Sequence, residues 1–352
     1  MSEGRPARIA VIEGDGIGQE VVPAAITCVD AALVRYGESA DWCPFDWGSD
    51  LYRRTGRMMP LDGIETLRAY DAIFLGAVGA PDIPDTETLW GLLIPIRREF
   101  EQYVNLRPVR ALPGIESPVR GGNDIDLVIV RENNEGEYSD IGGRIFRRTP
   151  EEAAIQENVF TRKGITRVTR YAAVLSASRR GLLTSATKSN GILHTMPFWD
   201  EVVAEVAAEY EEVRLEKILI DALAAKLILK PAAFDVIVAS NLFGDILSDL
   251  AGAIAGSIGV APSASLNPER QYPSLFEPVH GSAPDIAGRG IANPIGQIWT
   301  GAMMLEHLGF ADAAADLVAA FEAVLLEGIR TPDLGGEAST TDVASAVVAR
   351  LG

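Results

Sequence analysis

Phe234-Asp235-Val236-Ile237-Val238-Ala239-Ser240-Asn241-Leu242-Phe243-Gly244-Asp245-Ile246-Leu247-Ser248-Asp249 decides the fold class. Residues 234–239 form a short apolar, β-branched run of the kind that makes a buried strand. Asp245 and Asp249 then fall at helical i, i+4 spacing, so both carboxylates lie on one face. Leu242, Phe243, Ile246 and Leu247 flank them and bring that face near a core. A strand running through a polar loop into a helix is the repeating unit of α/β proteins.

The same unit recurs outward from this segment. Residues 7–12, 70–75 and 126–130 read as strands, and each ends in an unusual loop. These loops are Gly14-Asp15-Gly16-Ile17-Gly18, Gly76-Ala77-Val78-Gly79-Ala80-Pro81 and Arg131-Glu132-Asn133. Helical periodicity marks residues 19–35, 61–68, 92–103, 165–178, 198–209 and 247–254. The alternation predicts an α/β fold with a substantially parallel sheet. Residues 142–161 break the rhythm and read as a hairpin or arm. Residues 301–350 are Ala-rich and amphipathic, hence helical, with one break near 328–336. No short repeat, flexible linker or composition shift marks a domain boundary.

The chain has 352 residues, 47% hydrophobic and 23% charged, so it is globular rather than disordered. At roughly 150 residues per domain it is long enough for about two domains. Lys and Arg number 31 against 49 Asp and Glu, a net charge of −18. Such a surface disfavours nucleic acid and anionic membrane as partners. Two cysteines, Cys28 and Cys43, without CxxC spacing, fit a reducing compartment better than a disulfide scaffold. No signal-like segment and no long apolar run is present, so a soluble, cytoplasmic protein is expected.

Several segments carry chemistry. Two bare carboxylates one helical turn apart repel, and a hard cation such as Mg²⁺ or Mn²⁺ reverses the sign. The bland alternative is a solvated acidic face with Asp245 as a helix N-cap. Arg97 lies in the helix expected over 92–103, which Asn105-Leu106-Arg107-Pro108 closes, and Arg131 follows the strand at 126–130. Arginine forks grip carboxylates in pairs, so three at element ends suit a di-acid, although each alone is an ordinary ion-pairing residue. Tyr138 and Lys188, both in polar stretches, could serve as acid or base if buried. GDGIG after a strand suggests a phosphate-cradling turn. It is not GxGxxG, and no acidic residue ends a second strand at the right distance, which rejects a standard Rossmann fingerprint. The loop from Phe276 to Gly288 could wrap a ligand.

Taken together, these segments resemble the β-decarboxylating dehydrogenases of R-hydroxyacids, the isocitrate/isopropylmalate dehydrogenase family. The resemblance runs from GDGIG near the start to IANPIGQIWTGAMML near the end, with motifs in the family's order. WGLLIPIRREFEQYVNLRPVR, TSATKSNG, FDVIVASNLFGDILSD and LNPERQYPSLFEPVHGSAPDI look most like its tartrate and D-malate branch. The resemblance implies an isopropylmalate dehydrogenase-like two-domain fold with mixed sheets. Residues 1–105 and 261–352 would form the large domain and 106–260 a small central one. The segment near 142–161 would be a clasp in a homodimer with shared active sites.

The resemblance also implies roles. Arg97, Arg107 and Arg131 would bind substrate carboxylates, and Tyr138 would be the general acid. Lys188 of the partner subunit would take the hydroxyl proton, for which it must be neutral. Asp245 and Asp249, with Asp221 of the partner subunit, would hold Mg²⁺ or Mn²⁺. Asn190 would face the nicotinamide, while Glu277, His280, Gly281, Ser282, Ala283, Asp285, Ile286 and Asn293 would line the dinucleotide. Asp285 after Pro284 repels a 2′-phosphate, so NAD is expected over NADP. The implied reaction is oxidation and decarboxylation of D-malate or tartrate, with K⁺ as a monovalent cation. Trp90, about two turns before Arg97, would fill the cavity that an isopropyl substituent needs. Tyr103-Val104-Asn105 and Thr187-Lys188-Ser189-Asn190 also depart from the isopropylmalate branch. The alternatives are 3-isopropylmalate dehydrogenase and a regulatory homologue without turnover.

Overall fold

The structure, a computed structural model, describes residues 5–352. Ten strands form one mixed sheet in the order β2-β1-β3-β12-β11-β4-β5-β10-β8-β9. They are β1 (Ala7–Gly14), β2 (Ala40–Pro44), β3 (Ala72–Ala77), β4 (Val104–Arg110), β5 (Asp126–Glu132), β8 (Leu182–Thr187), β9 (Arg214–Leu219), β10 (Val236–Ala239), β11 (Pro262–Leu266) and β12 (Ser274–Pro278). A separate hairpin pairs β6 (Gly142–Ile145) with β7 (Ala153–Gln156). The helices are α1 (Gly18–Val34), α2 (Ser49–Thr55), α3 (Gly63–Leu67), α4 (Asp85–Thr88), α5 (Ile94–Glu99), α6 (Arg162–Ala177), α7 (Thr195–Ala207), α8 (Ile220–Leu229), α9 (Asn241–Ile254), α10 (Ile295–Leu308), α11 (Ala311–Leu326) and α12 (Thr340–Leu351).

The expected parallel sheet is present as two blocks. β2, β1, β3 and β12 run parallel, as do β5, β10, β8 and β9. Antiparallel β11 and β4 join the blocks. Side chains alternate across a strand, so this seam has two faces of different character. Asn105, Arg107, Arg131, Ser263 and Ser265 meet on one face. Leu106, Pro108, Val128, Ala264, Leu266 and Phe276 instead line a groove of about 490 Å³.

Four expectations need correction. Asn105-Leu106-Arg107-Pro108 does not close a helix: it lies inside β4, and the helix stops at Glu99. That helix also starts earlier, and α4 passes into α5 through a π-turn over Leu89–Leu93. The C-terminal region breaks twice, because Gly309 (φ 94°) ends α10 in the left-handed conformation that glycine adopts readily. Helix α9 begins at Asn241, so Asp245 is a helix-interior residue and not an N-cap. The off-rhythm segment is a hairpin with every strand residue exposed. Ile145, Phe146 and Ile155 project from it into solvent. Among the described residues no helix is long and apolar enough to cross a membrane.

Candidate active site

The seam gathers three charged side chains from separate strands and a helix. Cross-strand register sets Asn105 opposite both Arg131 and Ser265. Arg107 Nε donates to Asn105 Oδ1 at 2.6 Å, and Asn105 in turn donates to Ser263 Oγ at 2.9 Å. Arg131, 2% exposed, donates from Nε and a terminal nitrogen to Asn241 Oδ1 at 3.1 and 2.7 Å. It also pairs with Asp245. Helix α9 approaches this closely only because of Gly244: a Cβ there would lie 2.6 Å from Arg131 Cβ and Cγ.

Both carboxylates of α9 turn toward these arginines. An Arg107 terminal nitrogen lies 3.4 Å from Asp245 Oδ1 and 3.6 Å from Asp249 Oδ1. Tyr138, in the loop after β5, donates to Asp245 Oδ2 at 2.8 Å. Burial pushes the Asp245 carboxyl up, but Arg131, Arg107 and the Tyr138 hydrogen bond outweigh it and hold it below its ordinary range. Desolvation and the charge of Asp245 hold Asp249 above that range, with Arg107 opposing. Burial, then the bond to Asp245, raises the Tyr138 phenol. The repulsion anticipated between the two aspartates is therefore relieved in part by arginines. Asp249 is the under-compensated member and remains open to a cation.

Arg97 sits beside this cluster on α5. It forms a largely buried ion pair with Glu277 at 2.6 Å, and its Nε has no partner. Arg98, its neighbour, donates to the Tyr138 carbonyl at 2.9 Å and lies 4.9 Å over the Trp90 ring. Trp90 is thus half-exposed on the π-turn, linked through Arg98 to the Tyr138 loop.

Lys188 and Asp221 stand apart from this cluster. Lys188 Nζ lies 2.8 Å from Asp221 Oδ1, and that hydrogen bond holds the Asp221 carboxyl below its usual range. Lys188 follows β8 and Asp221 lies in the first turn of α8. No group of three His, Cys, Asp or Glu side chains able to hold a metal forms among the described residues. Within one chain Asp221 does not join Asp245 and Asp249, and the three arginines do not surround Lys188. Asn190 lies two residues beyond Lys188, in the same turn after β8.

The loop after β12 carries the remaining candidates. In GDGIG the N–H groups of Asp15 and Ile17 are already taken by neighbouring carbonyls, which argues against an anion cradle there. Its Asp15 N–H bonds to the Ala77 carbonyl at 2.6 Å and its Ile17 N–H to the Ser282 carbonyl at 2.9 Å. The Asp15 carboxylate accepts from Ser49 N–H, Ser49 Oγ and Gly79 N–H. The turn therefore braces the Gly281–Ser282 loop from below. Ala283 and Ile286 pack with Ile17, Val21 and Ala292. Asn293 Oδ1 accepts from Ile295 N–H at the start of α10, and its amide donates to Asp333. His280 Nδ1 lies 3.1 Å from the Gly281 carbonyl, while its buried Nε2 has no partner. Gly281 and Asp285 are exposed. An orphan imidazole nitrogen and an exposed aspartate at the loop's edge fit a dinucleotide lying along it.

Comparison with known proteins identifies the family. A family model for isocitrate/isopropylmalate dehydrogenase matches residues 8–347. This chain belongs to the isocitrate/isopropylmalate dehydrogenase family. A probable tartrate dehydrogenase/decarboxylase of Agrobacterium vitis is 55% identical over 347 residues, covering 97% of each chain. The D-malate dehydrogenase [decarboxylating] of Escherichia coli strain K12 is 55% identical over 350 residues, again covering 97% of each. The crystal structure of isocitrate dehydrogenase from Methylococcus capsulatus superposes with a TM-score of 0.89 at 36% identity, covering 98% of this chain and 99% of that one.

Sequence reasoning missed four residues that shape the site: Arg98, Asn241, Asp15 and Ser49. Arg98 stands beside Arg97, and Asn241 four residues before Asp245, on the same helical face. Those positions were the available signals.

Proposed function

We propose that the protein is an NAD-dependent dehydrogenase that oxidises and decarboxylates D-malate or tartrate. The observation that carries this is the meeting of Arg107, Arg131 and Tyr138 on Asp245, in a chain about half identical to relatives bearing those names. The large domain would comprise 1–105 and 261–352 and the small one 106–260, a division supported by the switch between blocks at the β11–β4 seam.

The di-acid is held by its carboxylates. Arg97, Arg107 and Arg131 converge at the seam, and the free Arg97 Nε is one available donor. Asn105 and Asn241 fix the guanidinium planes, so little freedom is lost when substrate arrives. Trp90, under the Arg98 guanidinium, would fill the space an alkyl group at C3 requires. Tyr138 is a neutral phenol at neutral pH, as any tyrosine is, and burial and Asp245 raise it further. It would deliver its proton to the carbon from which CO₂ departs.

Within one chain Lys188 pairs with Asp221, apart from the arginines. We infer that a second copy supplies the base, with Lys188 of the partner subunit taking the hydroxyl proton and Asp221 of the partner subunit joining Asp245 and Asp249. The unpaired apolar residues of the β6–β7 hairpin support such a homodimer. When bound, Mg²⁺ or Mn²⁺ at the three aspartates supplies Lewis-acid polarisation, and NAD accepts the hydride. Asp285 opposes a 2′-phosphate and supports NAD over NADP. A K⁺ requirement and a cytoplasmic location complete the reading.

NADH formation, followed by absorbance with Mn²⁺ present, tests it. D-malate, the tartrates, 3-isopropylmalate and isocitrate are assayed in parallel. Turnover centred on D-malate or tartrate is expected. Preference for 3-isopropylmalate would overturn the substrate assignment, and no turnover of any would overturn the enzyme.

A further inference from the structure

Two consecutive residues grip helix α9. Tyr138 reaches Asp245 Oδ2. Glu137 reaches the start of the same helix: Ser240 Oγ donates to its Oε1 at 2.7 Å, and Leu242 N–H to its Oε2 at 3.1 Å. Ser240 stands at the N-cap position, yet its side chain caps no N–H of the helix. A serine there ordinarily accepts from the second or third helical N–H. Here the second helical N–H, that of Leu242, goes to a carboxylate from another loop. The placement is electrostatically favourable, because helix N-termini attract negative charge. The neighbouring Asn241 amide adds a third tie, donating to the Glu135 carbonyl at 3.2 Å.

The two grips lie about one helical turn apart. Rotation or sliding of α9 against the loop would stretch both together. Glu137 touches neither the arginines nor the acidic pair directly. Its influence passes through the helix that carries Asp245 and Asp249 and through the chain that carries Tyr138.

We propose that Glu137 is a positioning residue, an N-cap supplied from outside α9 that fixes where the Tyr138 phenol sits against Asp245. This rests on the proposed role of Tyr138 as proton donor.

The test uses the full chain with NAD, Mn²⁺ and its best di-acid. E137Q removes the charge: its oxygen can still accept from Leu242 N–H and its amide nitrogen can meet Ser240 Oγ, so both contacts become neutral and the charge-assisted cap is lost. Expected is a fall in kcat of roughly ten- to a hundredfold, with KM for di-acid and NAD within about threefold. The solvent deuterium isotope effect on kcat should rise, because proton delivery becomes slower. A merely structural role would move neither the kcat-to-KM split nor the isotope effect. Wild-type kcat, or a kcat loss matched by KM losses with an unchanged isotope effect, would overturn the proposal.

S240A, which keeps the Leu242 bond, carries the test if E137Q does not fold. A several-fold kcat loss at constant KM supports the proposal, and wild-type kcat refutes it. Y138F is assayed beside both. An active Y138F sinks the role of the tyrosine itself, whereas an impaired Y138F with an unimpaired E137Q sinks only the positioning.

Discussion

Replacing Glu132 by glutamine should change how stability depends on pH. Glu132 is fully buried at the end of β5, where its carboxyl accepts the N–H of Asn134 at 3.0 Å and of Glu135 at 2.7 Å. Burial outweighs those two donors and lifts the carboxyl from 4.5 to about 8. The unfolded chain ionises this group first. Its contribution to stability is therefore complete below pH 4.5 and is lost as pH rises through about 8. At about 1.4 kcal/mol per pH unit, the loss between pH 5 and 8 is roughly 3–4 kcal/mol. E132Q titrates in neither state. Urea unfolding of both proteins at the two pH values, at fixed ionic strength and protein concentration, isolates the term, since other groups cancel in the difference. Wild type should lose its advantage, or fall behind E132Q, by that amount on going to pH 8. A stability difference identical at both pH values would refute a buried, proton-holding Glu132.

Removing the Tyr138 hydroxyl as Phe should cut kcat by about a hundredfold or more while leaving the di-acid KM nearly unchanged, since the phenol moves a proton and does not hold the substrate. Steady-state kinetics decide this, and parallel losses in both constants would argue for a binding role. Adding Mn²⁺ at about a hundred times its dissociation constant should stabilise the protein by roughly 2.7 kcal/mol in thermal unfolding, and D249N should abolish the gain. An equal gain in D249N would move the cation elsewhere. W90A should improve turnover of alkyl-substituted malates relative to D-malate. Unchanged relative efficiencies would mean that Trp90 only stacks on Arg98.

The fold class and strand ends were legible because short β-branched runs and loop chemistry are local signals. Asp245 and Asp249 were legible as a pair because helical spacing is local too. Their partners were not. Arg107 meets them only through the antiparallel register of β4 against β5, a long-range choice that periodicity does not encode. The same register turned Asn105-Leu106-Arg107-Pro108 from an expected helix end into a strand. The start of α9 at Asn241 has no local signal, because its cap comes from Glu137, about a hundred residues upstream. The π-turn at Trp90 leaves no mark in the pattern because residues 89–96 are apolar almost throughout, so a phase shift of one residue does not show. Gly309 gives no local signal of a break, because the apolar pattern continues on both sides of it. GDGIG looked like an anion cradle because sequence does not say which carbonyls its N–H groups will find.

The two faces of the seam bear on how this chain can vary. Side chains in β4 and β11 alternate between polar chemistry on one face and apolar lining on the other. Deleting or inserting a single residue in either strand would exchange the two sets, turning Leu106 toward the carboxylates and Arg107 into the groove. Substitutions here can be tried singly, but changes in length cannot. Length variation in this protein should fall in the loops that join the strands and leave the seam's residue count untouched.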